Sequence, residues 1–353
     1  MARESPAVPP PQAATRDRPQ VKLRDVAERA GVSTATVSRA LTMPAKVSAD
    51  ALRRVQKAVK ESGYLPHGAA RALRSRRTRT IGAVIPTLDN AIFANATHVL
   101  QKTLEENEYN LLVACHEFDP AAETRITQSL IERGVDGVVL VGLDHEPELF
   151  ELLTSFRVPY VLTWAVDPAQ RHPCVGFRNR EAAARVADYL LDMGHRRIAM
   201  ISGETAHNDR ARERLTGVRE ALHARGLQLD PSWLIEVPYT FDAARHAMRR
   251  LAALSPLPTA IICGNDVLAI GALSEARALG LQVPARLSIT GFDDLQISSL
   301  VVPPLTTVHV PTRELGRLAA CQLLARIAGD AVDASREVQV ELIVRGSTAP
   351  PGA

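Results

Sequence analysis

The chain has 353 residues, 46% of them hydrophobic, which is enough for two or three compact units that each bury a core. No run approaches the roughly 18 uninterrupted apolar residues of a membrane span, and residues 1–20 lack the apolar middle of a secretion signal, so a cytoplasmic protein with no membrane partner is expected. The net charge of +3 is unevenly spread: residues 1–80 hold 17 Lys and Arg against 6 Asp and Glu, a net of +11, and the remainder is net −8, as in a polyanion binder joined to an acidic body.

Residues 1–20 are Pro/Ala-rich without apolar periodicity and read as a disordered leader. In KLRDVAERA, Leu23, Val26, Ala27 and Ala30 recur at helical spacing, and Gly31 supplies a stop. Ser33 is placed to cap a second helix, STATVSRAL, and a third runs through ADALRRVQKAVKESG between Ser48 and Gly63. Small Ala27 facing the partner, Gly31 at the turn and Val37 sealing the pair suit two helices crossing steeply over three residues, a helix-turn-helix whose second helix enters the DNA major groove.

From Ile81 onward, apolar runs alternate with helical stretches. IGAVIP, NLLVAC, GVDGVVLVG and PYVLTW are separated by helices near 92–107, 120–133 and 147–155. A second series starts at Val175 and contains RRIAMISG, WLIEVP, TAIICGN and LSITGFDD, with helices near 179–193, 209–225, 241–253 and 265–279. Apolar strands joined by helices imply parallel sheets covered on both faces, with ligands at the carboxyl ends of the strands. Cys115, Cys174, Cys263 and Cys321 form no CxxC pair, so no metal, disulfide or cofactor is expected, and the cysteines read as reduced core residues.

With these motifs in place, the sequence resembles the LacI/GalR family of bacterial transcription regulators. The resemblance spans about residues 21–348 and rests on KLRDVAERAGVSTATVSRAL, GYLPHGAARALRSRRTRTIGAVIP, DGVVLVG, MGHRRIAMISG, GNDVLAIGAL, VPARLSITGFDD and PPLTTVHVP, in family order. It implies an α/β protein with an N-terminal all-α helix-turn-helix headpiece (21–66), a hinge helix and linker (67–79), and a two-subdomain periplasmic-binding-protein-like core with parallel sheets. The expected N-terminal core subdomain is 80–178 plus 310–337, and the C-terminal one is 179–306 plus 338–348. The implied molecule is a homodimer, with a tetramer left open, that binds a pseudo-palindromic double-stranded DNA operator, usually as a repressor, under control of a small effector such as a sugar or sugar acid.

By the same resemblance, Thr34, Ala35 and Arg39 match positions that contact base edges, and Arg39 can fork onto guanine. Ser33, Thr36 and Ser38 suit capping or phosphate contacts, and Thr36 suits packing between the helices equally well. Leu73 matches a leucine that wedges into the minor groove, flanked by Arg71 and Arg74. His67 and Gly68 stand where relatives commonly carry a capping asparagine, so the hinge helix is expected to depend on DNA more than usual; a flexible basic linker is the alternative.

The implied effector pocket is lined by Ile92, Phe93, Trp164, Arg178, Asn208, Arg210, Arg214, Tyr239, Asn265 and Asp293. Apolar and aromatic walls with few polar groups suit a small polyhydroxylated or cyclic ligand. Asp293 is the expected acceptor, or else a cap for the following turn. Arg178, in VGFRN, replaces an aspartate common in sugar-binding relatives. With Arg210 and Arg214 it points to an anionic ligand, unless it pairs with Asp293 or Glu181 or faces solvent.

Two rival classes are weaker. For an enzyme, no GxGxxG after a strand, no phosphate loop, HExxH or GxSxG occurs, and His195 in GHRR suits a helix end. A sugar-binding receptor or binding protein without a regulatory role would fit the core but leave the basic headpiece unexplained.

Overall fold

A computed structural model of the chain describes residues 21–64, 77–331 and 333–352. The proposed leader and the hinge positions His67, Gly68, Arg71, Leu73 and Arg74 lie outside these residues. Chain contacts divide the protein between residues 76 and 77 into a small helical unit and a large α/β unit.

The helical unit contains α1 (Leu23–Ala30), α2 (Thr34–Thr42) and α3 (Ala49–Ser62). Gly31 ends α1 in the left-handed region at φ 61°, which glycine enters without the Cβ penalty. The Thr36 amide donates to Ser33 Oγ (3.1 Å) and the Ala51 amide to Ser48 Oγ (3.3 Å), so both serines cap as their positions predict. Val26, Val37 and Val55 are fully buried among Ala27, Ala30, Ala40 and Ala58. The small alanines let the helices approach closely, and each buried valine contributes about 1.5–3 kcal/mol.

The α/β unit opens with β1 (Thr80–Ile85), α4 (Ala91–Glu106), β2 (Asn110–Cys115), α5 (Pro120–Glu132), β3 (Gly137–Val141), α6 (Pro147–Ser155), β4 (Tyr160–Thr163) and β5 (Cys174–Gly176). It continues with α7 (Asn179–Asp192), β6 (Ile198–Gly203), α8 (Asp209–Ala224), β7 (Leu234–Val237), α9 (Phe241–Ala252), β8 (Ala260–Cys263), α10 (Asp266–Ala278) and β9 (Ser288–Thr290). It closes with β10 (Thr307–His309), α11 (Thr312–Ala328), β11 (Ser335–Glu337) and β12 (Glu341–Ile343).

One parallel sheet has the order β11-β5-β4-β3-β1-β2 and the other β7-β6-β8-β9. The chain passes between them after β5, between β9 and α11, and after β11, and β10 pairs antiparallel with β12 near these crossings. The apolar character of NLLVAC does not make it a buried central strand. It is the edge strand β2, with Leu112 and Val113 exposed. β10, β11 and β12 are three residues each and short on apolar alternation, which is why the sequence pattern does not announce them.

Asp136 anchors the start of the α/β unit. Its carboxylate accepts from the Thr78 amide (2.9 Å) and the Arg79 amide (2.8 Å), and the Arg77 guanidinium donates to the Ile327 carbonyl (2.8 Å) at the end of α11.

Candidate DNA-reading helix and ligand cleft

In the helical unit, Ser33, Thr34, Ala35 and Arg39 are exposed on α2, while Thr36 and Ser38 are half-buried. Thr36 Oγ1 lies 2.9 Å from Ser33 Oγ, so this hydroxyl serves the helix start. Short exposed side chains with one arginine are of a kind that a base edge in the major groove can take.

In the α/β unit, the carboxyl ends of both sheets face a cavity of about 400 Å³. It brings together Ile92 and Phe93 from the start of α4, Trp164 after β4, Asn208, Arg210 and Arg214 at the start of α8, Tyr239 after β7, Asn265 before α10, and Asp293 after β9. Phe93 and Trp164 meet edge to face with centroids 5.2 Å apart, and Phe118 and Tyr239 lie 6.2 Å apart. The aromatic surface is thus supplied by loops of both sheets. A Cβ on Gly203 would fall on the Tyr239 ring, so the bare backbone of β6 is what admits that wall.

Asp293 sits at φ 115°, and its side chain is fully buried with neither carboxyl oxygen hydrogen-bonded. The nearest cation, Arg214 Nη2, is 3.8 Å from Oδ1, within ion-pair range but too long for a hydrogen bond. Burial pushes the Asp293 carboxyl up to about 8, against the opposing pull of Arg214. The loop carrying Asp293 is pinned by Asp266, which accepts from Ser298 Oγ (2.5 Å), Thr307 Oγ1 (2.5 Å) and the Leu295 amide (2.8 Å). Burial lifts Asp266 to about 6 in spite of these donors.

The arginines do not converge on open space. Arg214 donates through Nε to Asn179 Oδ1 (2.9 Å) and through Nη1 to the Gly264 carbonyl (2.7 Å), with its guanidinium 3.7 Å from the centre of the Phe292 ring. Arg210 Nη1 bonds Asp209 Oδ1 (2.7 Å) and the Val141 carbonyl (3.2 Å). Arg178 does not line the cavity. It precedes the first turn of α7, where Nε reaches Glu337 Oε2 (3.1 Å) and Nη1 reaches Glu181 Oε1 (3.5 Å). The expectation of three arginines gathered in the cavity is therefore corrected for Arg178, while Arg210 and Arg214 line it with part of their donors already bonded to protein acceptors. The pairing of Arg178 with Glu181 was one of the alternatives open from sequence; its pairing with Glu337 on β11 joins residues too far apart in the chain to be read from spacing.

The cavity also takes in Thr87, Asp89, Asn90, Phe118, Thr240, Phe241, Val267, Leu295 and Ile297, to which no sequence motif points. Phe118 lies in the loop just past β2, three residues beyond Cys115, so the rule that ligands sit at strand carboxyl ends points to it. Asn265 has a second duty, accepting from the Leu268 amide (2.9 Å) as the cap of α10. His195 is buried between Thr259 Oγ1 (2.9 Å) and the Ala349 carbonyl (3.0 Å), away from the cavity.

A helical unit with a DNA-reading helix, followed by an α/β unit with a ligand-sized cleft between two sheets, defines a DNA-binding regulator that senses a small molecule. Residues 22–67 match the model for bacterial regulatory proteins of the lacI family, and residues 187–348 match that for the periplasmic binding protein-like domain. The sequence is 36% identical to the HTH-type transcriptional repressor CytR of Escherichia coli over 329 residues, 92% of this chain and 96% of that protein. A lac repressor dimer bound to operator and the anti-inducer ONPF superposes with a TM-score of 0.83 at 26% identity, covering 93% of this chain and 99% of that one. A cellobiose complex of the transcriptional regulator CelR gives 0.69 at 30% identity, covering 93% and 99%. The chain belongs to the LacI family of bacterial transcription regulators.

Proposed function

We propose that this protein is a cytoplasmic repressor that binds a pseudo-palindromic operator as a homodimer and changes operator affinity when a small, uncharged ligand enters the cleft. Thr34, Ala35 and Arg39 read base edges, Ser33 and Ser38 meet phosphates, and Leu73, flanked by Arg71 and Arg74, wedges into the minor groove. The similarity to operator-binding repressors supports this assignment, as does the concentration of positive charge in residues 1–80.

The observation that carries the ligand class is the buried Asp293 carboxyl with no hydrogen-bond partner. In its neutral form it donates one hydrogen bond and accepts others, which suits a ring nitrogen or a hydroxyl of a polyhydroxylated ligand between aromatic walls. Because Arg178, Arg210 and Arg214 are engaged by protein acceptors, a neutral sugar or heterocycle fits better than a sugar acid. The relative bound to cellobiose supports a sugar-sized neutral guest.

Ligand binding shifts DNA affinity only by the difference between its affinities for the two forms of the protein. The test is a thermal-shift screen of neutral sugars, nucleosides and aldonates, followed by operator binding with each hit. A neutral hit whose effect on operator affinity disappears in Asp293→Ala supports the reading; binding by aldonates alone would overturn it.

A further inference from the structure

The two sheets are tied across the cleft at the loop after β3. There the Leu143 amide donates to Asp209 Oδ2 (3.0 Å), Arg210 Nη1 to the Val141 carbonyl (3.2 Å), and Arg212 Nη1 to Asp144 Oδ2 (2.7 Å). All three side chains belong to the start of α8. Gly142 stands at φ 94°, and a Cβ on it would fall on Arg210 Nη1, so the loop backbone is kept bare where the guanidinium lies.

Behind this loop is a buried histidine–carboxylate pair that the cleft itself does not use. His145 Nδ1 is 2.8 Å from Glu123 Oε2 on α5, and His145 Nε2 is 3.1 Å from the Gly142 carbonyl. The two side chains are 1% and 3% exposed. A neutral imidazole carries one N–H, and both nitrogens here face oxygens that accept. Both bonds therefore form together only when the pair holds one extra proton, either on His145 or on Glu123, whose O–H then donates to Nδ1.

Two further imidazoles flank the pair. His116 Nε2 lies 3.8 Å from Glu123 Oε1, but burial, reinforced by Arg210, holds the His116 imidazole below its usual range, while Glu123 and Asp119 oppose this. On the other side, Phe150 meets His145 edge to face and stacks on His172 at 4.2 Å. Burial also lowers His172, and its Nδ1 is engaged by the Tyr160 hydroxyl (2.8 Å).

We propose that Glu123 and His145 are positioning residues for the docking of α8 on the Gly142–Asp144 loop, and that the docked state takes up one proton, which the two side chains share. The loop keeps its shape while the Gly142 carbonyl is held. Losing the proton leaves one His145 nitrogen without a hydrogen facing an acceptor, and the loop loosens. The consequence for ligand sensing rests on the reading of the cleft as an effector site; the docking itself does not.

Hydrogen exchange of the full chain, followed by mass spectrometry on peptides covering 141–146 and 209–214, tests this from about pH 5.5 to about pH 9 after correction for intrinsic exchange. In the wild type, protection of both segments should fall with rising pH, by up to about tenfold per unit for one linked proton. Glu123→Gln should keep the protection and lose its pH dependence, because a carboxamide N–H donates to Nδ1 without titrating and neutral His145 retains its N–H on Gly142. His145→Ala should lose protection of both segments throughout the range.

Wild-type protection independent of pH, or an unchanged slope in Glu123→Gln, would overturn the proposal, and the Gln variant decides even where the Ala variant does not fold. The pH signature together with no ligand effect on operator binding would sink only the effector reading. A missing signature with an intact ligand response would sink only this one.

Discussion

A carboxyl group buried without a hydrogen-bond partner is tolerated while it stays neutral, and Asp293 is in that position. Its folded value, raised to about 8 from an ordinary 3.8, means that between these limits the folded chain holds a proton that the unfolded chain has released. Stability of the ligand-free protein therefore falls as pH rises through this window, by at most about 1.4 kcal/mol per pH unit for one group. Asp266, raised to about 6, adds to the slope only in the lower part. The melting temperature should thus decline from about pH 6 to about pH 8, and Asp293→Asn should flatten the decline, as calorimetry across buffers would reveal. A variant as steep as the wild type would mean that Asp293 is ionised in the empty cleft. In the helical unit, Arg39 is the one exposed forked donor among the α2 residues expected to meet DNA. On an operator selected from random sequences, Arg39→Ala should cost about 1–3 kcal/mol of binding and relax the preference at one guanine. A uniform loss across all bases would instead assign it to phosphate.

At the scale of elements, what the sequence announces is what local chemistry decides. The caps Ser33 and Ser48, the stop at Gly31 and the 3.6-residue period of α1 and α3 are each settled within a few residues, and each is found. The helix expected near 209–225 spans Asp209–Ala224 for the same reason. Arg178 resists such reading because its partner Glu337 comes from β11, which joins the sheet only through long-range pairing with β5. The β10–β12 ribbon is likewise held by pairing across distant sequence rather than by pattern. Gly203 shows the same limit: its role is invisible until β6 and Tyr239 are in contact. Gly203→Ala should force the Tyr239 ring aside, at about 1–3 kcal/mol in urea unfolding, and narrow the cleft. A neutral result would show that the ring moves without cost.

For the molecule as a whole, the division of charge separates its two tasks. Residues 1–80 carry a net +11 and the rest a net −8, so long-range attraction to DNA and the proposed recognition of an uncharged ligand fall to different parts of one chain. Neutralising DNA phosphates releases condensed counterions, so operator affinity must depend steeply on salt. If the dimer makes about 6–10 phosphate contacts, affinity should fall by about 10³–10⁵ between about 50 mM and about 200 mM salt. A neutral ligand displaces no such counterions, and its affinity for the DNA-free protein should change little over the same range. Isothermal titration for the ligand and fluorescence anisotropy for the operator, run in the same salt series, give the two slopes side by side. A ligand affinity that falls in parallel with operator affinity would show that the cleft holds an anion, and would reopen the role of its arginines.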